Sequence, residues 1–135
     1  MPTKPIPPID PWTEPHWAAA REGKLLIQHC RACGRHIFYP RLACPYCAAA
    51  EPDWVEASGR GRVYTFTVVH NNAPSPFLDD MPFVIAVVEL EEGVRMMTNL
   101  VGCAPEAITC GMPVQVTFEK QTEAITLPKF TPLSQ

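Results

Sequence analysis

Four cysteines in two closely spaced pairs constrain this chain more than any other feature of its sequence. Cys30 and Cys33 form the first pair, Cys44 and Cys47 form the second, and ten residues separate the pairs. A two-residue spacer places both sulfurs of a pair on one side of a tight turn, so two such turns supply the ligands of a closed structural zinc site. Four thiolates favour zinc or iron over harder metals, and we expect zinc. Two disulfides or a redox-active CxxC pair are the alternatives.

A metal with four protein ligands has no open position for water or substrate. We therefore expect the ion to stabilise a fold rather than to take part in catalysis. The sequence also lacks the GxSxG, P-loop, GxGxxG and HExxH motifs, and it shows no nucleophile paired with a base. These observations predict no catalytic residue in this chain.

A chain of 135 residues is long enough for one domain, or for a small domain with an appendage. No run reaches the roughly 18 apolar residues of a membrane-spanning helix. The first residues also lack the apolar segment of a secretory signal. Because metal-binding thiolates must stay reduced, we expect a cytoplasmic protein that is not bound to a membrane.

Charge is unevenly distributed along the chain, whose formal net charge is −3. Residues 21–62 contain seven Lys or Arg and four acidic residues, whereas residues 79–135 contain three basic and eight acidic residues. A basic first half suits phosphates or an acidic partner. An acidic chain does not suit general nucleic-acid binding, which depends on neutralising many phosphates.

Proline accounts for 16 residues, more than twice the usual share of about 5%, and this argues against long helices. Residues 1–12 are predicted to form an extended, Pro-rich arm. One short helix is expected from about Thr13 to Glu22, with Thr13 or Glu14 as its cap and Gly23 just beyond its end. The helix and the four cysteines together define a predicted unit at residues 13–52.

Aromatic side chains cluster on or beside this short helix, at Trp12, His16 and Trp17. A helix of this length cannot bury two tryptophans alone. Either they pack on the body of the same chain, or they anchor another subunit, a role for which tryptophan is favoured at interfaces. Both readings stay open from the sequence.

Short strands at 25–29 and 36–40 alternate with the two cysteine pairs, which is the layout of a rubredoxin-like zinc ribbon. Such a unit has almost no core, and the metal supplies its folding energy. His29 and His36 could be alternative ligands, but four cysteines are already present. We interpret both histidines as ordinary surface residues or neighbours of the metal ligands.

Residues 53–135 are predicted to form a small β-barrel. Four segments are rich in β-branched and aromatic residues and read as strands; they lie at 62–70, 83–90, 95–101 and 114–119. A short fifth strand at 127–130 is expected at a sheet edge, since Pro128 cannot donate a ladder hydrogen bond. Strands of this number and length favour an OB fold. The whole chain is thus predicted to be mostly β, with an N-terminal helix and zinc ribbon followed by an OB-fold barrel.

An ordered set of segments also carries a family resemblance, which runs from about residue 13 to 132. These segments are Trp17, 23–30, 33–41, 44–47, 58–64, 68–70, 98–102, 111–114 and 128–130. Together they resemble the zinc-ribbon/OB-fold proteins of the domain-of-unknown-function-35 (DUF35) family. Some members of that family lack part of the cysteine set, whereas this chain has all four cysteines.

The resemblance implies an accessory role in acyl-CoA metabolism, such as lipid or aromatic degradation. Proteins of this kind look like obligate partners of thiolases, related acyltransferases or the retro-aldolases of steroid side-chain degradation, and the partner carries the catalytic groups. The resemblance further implies docking through the N-terminal helix and ribbon, a heterotetramer or larger complex, and a barrel beside the acyl-CoA channel. Coenzyme A thioester is then a ligand of the complex.

Two sets of candidate contact residues follow. The partner-contact candidates are Trp12, His16, Trp17 and Arg41, and the acyl-CoA candidates are Arg60, Arg62, His70 and Phe83. For the arginines a solvated surface is the alternative, and for His70 it is a structural role.

Two other functions compete with the accessory role. The first is single-stranded nucleic-acid binding by the OB fold, with Tyr64, Phe66 and Phe83 as stacking platforms. The net negative charge counts against it. The second is an acyl-CoA hydrolase or transferase activity of the chain itself, and the absence of a nucleophile–base pair counts against that.

Overall fold

The computed structural model describes residues 4–133. Within this part of the chain, one α-helix, α1, spans Glu14–Arg21. The strands are β1 Leu26–His29, β2 His36–Ile37, β3 Asp53–Glu56, β4 Arg60–Val69, β5 Phe83–Leu90, β6 Arg95–Leu100, β7 Pro113–Lys120 and β8 Thr126–Pro132. Two short 3₁₀ segments lie at Ser75–Asp80 and Pro105–Ala107. No helix of the described chain is long and apolar enough to cross a bilayer.

Helix α1 begins after a turn that is closed by Asp10. The backbone N–H groups of Thr13 and Glu14 both donate to the Asp10 carbonyl oxygen at 2.9 Å. Thr13 was predicted as a candidate cap, but its side chain makes no capping bond to the helix. Its hydroxyl oxygen instead accepts from the Asp10 N–H at 2.9 Å. The helix ends before Gly23, whose φ of +78° suits glycine as predicted.

The ribbon is a three-stranded antiparallel sheet in the order β2-β1-β3. Strand β3 was not predicted, and it pairs along the whole of β1. Strand β2 is shorter than the predicted segment at 36–40. It ends at Ile37 because the next two side chains, Phe38 and Tyr39, turn to pack against His16 of α1, with ring centroids 5.7 and 6.0 Å away.

Strands β4, β5, β6, β8 and β7 close into a five-stranded barrel in that order. Every neighbouring pair is antiparallel except β6 and β8, which meet in parallel. The barrel interior is apolar and almost fully buried, and includes Val63, Val88, Val114 and Phe130. This mostly β architecture, with its helix, ribbon region and closed barrel, is the predicted fold class.

The placement of β8 at a sheet edge was wrong. One side of β8 pairs with β7 from Thr126 to Pro132, and the other side meets β6 at a single register pair, Leu100 opposite Phe130. Because the β6–β8 contact is this short, a proline two residues before Phe130 does not interrupt an extended ladder. Pro128 is therefore compatible with a closed barrel.

The ribbon and the barrel share one hydrophobic core. Leu25 and Ile27 belong to the same buried cluster as the barrel residues Val63 and Phe130. Near the cysteines a second, smaller cluster contains Cys30, Ile37 and Cys44. The boundary between ribbon and barrel at residue 53 remains a prediction. Strand β3, Asp53–Glu56, lies after that boundary in sequence but pairs with β1 of the ribbon.

Candidate metal centre and contact surfaces

The four predicted cysteines converge on one point. Their Sγ atoms all lie within 4.8 Å of one another, with 3.6 Å between Cys30 and Cys47 and 3.6 Å between Cys33 and Cys44. A tetrahedral ion with metal–sulfur bonds of about 2.3 Å requires sulfurs about 3.8 Å apart. This is the one group of three or more candidate ligands with such geometry in residues 4–133, and its donors fit zinc.

Backbone hydrogen bonds build the two cysteine turns in the same way. In the first turn Gly34 N–H donates to the Cys30 carbonyl at 2.8 Å, and in the second Ala48 N–H donates to the Cys44 carbonyl at 2.9 Å. Gly34 and Ala48 each follow the second cysteine of a pair, and both adopt a positive φ, of 77° and 66°. The two halves of the site are therefore near-equivalent in backbone conformation.

The thiols of Cys30 and Cys47 do not ionise alike at this site. The Cys33 amide lowers the pKa of the Cys30 thiol to about 7. The Ala49 amide lowers the pKa of the Cys47 thiol, but the Cys30 sulfur and desolvation outweigh it and raise that pKa to about 12. A divalent ion removes this conflict, because coordination deprotonates a thiol outright. The bound ion would hold the two turns together and supply no catalytic step.

The partner-contact candidates divide into buried and exposed side chains. Trp17 is 4% exposed and His16 1% exposed. Trp17 Nε1 donates to the Tyr39 hydroxyl at 3.2 Å, and His16 Nδ1 lies 2.9 Å from the Leu26 carbonyl oxygen. Trp12 is 39% exposed. The structure thus packs two of the predicted anchors onto the ribbon of the same chain.

Arg41, the fourth partner-contact candidate, is exposed, but its backbone is held by a buried side chain. Arg41 N–H donates to Gln28 Oε1 at 2.7 Å, and Gln28 Nε2 donates to the Arg41 carbonyl at 2.9 Å. Gln28 was not identified from the sequence. The sequence signal for this contact is a polar residue between Ile27 and His29 on a short strand. If such a residue is buried, its amide must find hydrogen-bond partners.

The four acyl-CoA candidates do not form one site. Arg60 and Arg62 lie at the start of β4, whereas Phe83 pairs with Val69 at its other end, just before His70. Strand β4 has ten residues, so these two pairs are separated by up to about 30 Å along the strand at the usual rise per residue.

The arginine pair lines an open cleft of about 410 Å³, which also contains Glu89 and Glu91. The Arg62 guanidinium donates to the Gly111 carbonyl at 2.8 Å. Glu89 accepts from the Arg95 guanidinium at 3.1 Å. Mixed charge makes this cleft a weaker anion site than the two arginines alone would suggest.

The other pair borders the long loop after β4. Phe83 is half-buried against Phe77, with ring centroids 6.1 Å apart. His70 is exposed. Lys4 of the N-terminal arm forms an ion pair with Asp80 and lies 5.7 Å from the centroid of the Phe77 ring. The arm therefore reaches this end of the barrel.

Known proteins match this chain along both of its parts. Residues 17–53 match the family model "ChsH2, rubredoxin-like zinc ribbon domain", and residues 54–119 match "ChsH2, C-terminal OB-fold domain". A "DUF35 domain-containing scaffold protein" of Methanocaldococcus jannaschii is 40% identical over 109 residues, which are 79% of this chain and 77% of that protein. This chain belongs to the DUF35 family. The predicted DUF35 membership is confirmed.

Two further matches concern proteins with enzyme names. The solved structure "Ltp2-ChsH2(DUF35) aldolase" is 41% identical, with a TM-score of 0.82, and covers 94% of this chain and 98% of that chain. The "Probable enoyl-CoA hydratase alpha subunit" of Thermomonospora curvata is 45% identical over 114 residues. Those residues are 84% of this chain, which spans only 35% of that relative.

Proposed function

We propose that this chain is a non-catalytic accessory subunit that docks on a thiolase-like catalytic subunit in acyl-CoA metabolism. One observation carries the proposal: the chain matches 98% of the DUF35 chain in a structure named the Ltp2-ChsH2(DUF35) aldolase, at 41% identity. The closed cysteine site supports it, because a zinc ion with four protein ligands stabilises a fold and offers no position for substrate. Reduced thiolates support a cytoplasmic location.

The proposed docking surface consists of exposed apolar side chains of the N-terminal segment and the ribbon. These side chains are Trp12, Tyr39, Leu42 and Tyr46, and the exposed Arg41 lies among them in sequence. Exposed aromatic and arginine side chains are the groups enriched at interface hot spots. His16 and Trp17 then support this surface from beneath, because both are buried.

An acyl-CoA thioester is the proposed ligand of the assembled complex. Arg60 and Arg62 offer guanidinium groups of the kind that bind phosphates. At the far end of β4, Phe83 and His70 offer a ring face and an imidazole. Because up to about 30 Å along the strand separates the two pairs, we assign the phosphate contact to the arginine pair and an apolar contact to the other pair. A heterotetramer or larger complex is the proposed assembly.

A tagged pull-down from the native host in low-salt buffer tests the docking proposal, with co-purifying proteins identified by mass spectrometry. We expect a thiolase-like protein in near-stoichiometric amount. Recovery of the tagged chain alone would contradict the accessory role. Recovery with nucleic acid in place of a protein would favour the competing OB-fold function.

A further inference from the structure

Two histidines face each other across the ribbon sheet. His29 of β1 is the direct register partner of His36 in β2, and the two ring centroids lie 4.8 Å apart at an interplanar angle of 52°. Directly opposed residues of an antiparallel pair project from the same face of the sheet. Both rings are half-buried, so each retains access to solvent and to a small ion.

His36 also lines a cleft between the ribbon and the barrel. This open cleft of about 400 Å³ is bordered on the ribbon side by Gly34, Arg35 and Tyr46, and on the barrel side by Glu92 and Gly93 of the β5–β6 turn. The Arg35 guanidinium lies over the Tyr46 ring, 4.6 Å from its centroid. The Arg35 side chain is therefore engaged in a cation–π contact within this cleft.

Glu92 supplies a second observation in the same cleft. Its Oε2 accepts from Ser58 N–H at 2.8 Å, whereas its Oε1 is buried and has no hydrogen-bond partner among the described residues. A buried carboxylate oxygen without a donor is costly, and an ordered water or an ion is its usual partner. His36 of the imidazole pair and this carboxylate thus border the same cleft.

We propose that His29 and His36 form a second metal site, separate from the four cysteines, which binds one divalent first-row transition ion. Imidazole nitrogens suit Zn²⁺, Ni²⁺ and Cu²⁺. The two imidazoles are the protein ligands, and water fills the remaining positions. Glu92, across the same cleft as His36, supports the site as a nearby negative charge. A site with two protein ligands stays open, unlike the cysteine site, so its ion exchanges with solvent.

Neighbouring acidic groups do not replace these donors. Asp53 of β3 is the register partner of His29 on its other side, but its carboxylate already pairs with the Arg31 guanidinium at 3.1 Å. The imidazole pair is therefore the donor pair that we assign to the ion.

Titration of the zinc-loaded, tag-free chain with Ni²⁺ in a calorimeter tests this site. We expect one saturable binding event beyond the cysteine-bound ion. His29→Thr and His36→Thr should each weaken it at least about tenfold, the loss seen even for groups that only support a metal ligand. His70→Thr, which alters an exposed histidine elsewhere, should leave the affinity unchanged. Glu92→Gln keeps an acceptor for Ser58 and should weaken binding less than either histidine change.

Three results would overturn the proposal. They are the absence of saturable Ni²⁺ binding, binding that neither histidine change affects, and zinc release with a nickel–thiolate absorption band, which would place the added ion on the cysteines. NMR of the wild-type chain makes the test independent of variant folding. Paramagnetic Ni²⁺ should broaden the imidazole signals of His29 and His36 before those of His16 and His70, and equal broadening of all four would contradict the site.

Discussion

The side-chain amide of Gln28 closes two hydrogen bonds on the backbone of Arg41, one at 2.7 Å and one at 2.9 Å. Gln28 lies on the central strand of the ribbon sheet, and Arg41 lies three residues before the second cysteine pair. This contact fixes the loop between the two metal-binding turns from inside the sheet. The proposed docking side chains Tyr39 and Leu42 flank the same backbone position.

Replacing Gln28 with Ala should destabilise the zinc-loaded chain by about 2 kcal/mol, because two hydrogen bonds of a buried side chain disappear and the Arg41 N–H and carbonyl lose their partners. Urea unfolding measures this loss. Gln121→Ala provides the control, since the Gln121 side chain bonds only to Glu119 and these bonds are exposed. Equal effects of the two substitutions would show that the Gln28 contact does not stabilise the ribbon.

Trp17→Ala should destabilise the chain by about 3–5 kcal/mol, the range for a large aromatic side chain removed from a core. Trp12→Ala should change stability by less than about 0.5 kcal/mol, as for surface substitutions, yet weaken partner binding. Thermal unfolding of both variants, followed by partner capture at a temperature where each is folded, separates the two effects. A stable Trp17→Ala chain would contradict the buried placement of Trp17.

Gly34 and Ala48 occupy equivalent positions with positive φ in the two cysteine turns. Exchanging glycine and alanine at these positions should therefore change the stability of the metal form in opposite directions. Gly34→Ala should destabilise the metal form by about 1 kcal/mol, because an L-residue at positive φ is strained and no atom lies within 4 Å to compensate by packing. Ala48→Gly relieves that strain in the second turn and should be neutral or stabilising. Competition for zinc with a chromogenic chelator measures both. The same sign for both changes would show that the turns are not equivalent.

Burial of His16 predicts a loss of stability in acid. Desolvation lowers the pKa of its imidazole below 6.5, and this outweighs the bond to the Leu26 carbonyl, which raises it. The imidazole is therefore protonated at a higher pH in the unfolded chain than in the folded chain. As a result, the free energy of unfolding falls as the pH drops below about 6.5. Urea unfolding at pH 7.0 and 5.5 should show a smaller pH effect in His16→Gln than in the wild type at equal zinc content. An unchanged pH effect would exclude His16 as its source.

If the chain docks through its ribbon, an acidic residue introduced on the ribbon should disrupt assembly. The same change at a similarly exposed apolar position on the barrel should not. Leu42 is 66% exposed on the ribbon and Met97 is 71% exposed on the barrel. Leu42→Asp should reduce capture of the thiolase-like partner at least about tenfold, because it places an unpaired charge in an interface that excludes water. Met97→Asp should not reduce it. The reverse pattern would move the docking surface to the barrel.

Local patterns in the sequence were sufficient for the metal site and most strands. The spacing of Cys30, Cys33, Cys44 and Cys47 fixes where sulfurs can meet, and strand β5 has its predicted bounds of Phe83–Leu90. Strand β3 was missed because four residues do not establish an alternating pattern. Its pairing depends on β1, which lies 24 or more residues earlier in the chain.

Other features depend on contacts that no short segment encodes. The burial of Trp17 requires Tyr39, 22 residues away. The position of β8 inside the barrel requires closure between β6 and β7, the strands that lie on either side of it. The predicted strand at 62–70 already places Arg62 and His70 at its opposite ends, and the register of β4 against β5 adds Phe83 to the His70 end.

The central claim is that this chain assists acyl-CoA chemistry without carrying it out, and turnover measures this most directly. The complex recovered from the native host, the separated partner and the separated zinc-loaded chain are each assayed against a panel of acyl-CoA thioesters. Our account predicts turnover by the complex, less by the partner alone, and none by this chain alone. Turnover of any thioester by the isolated chain would contradict it.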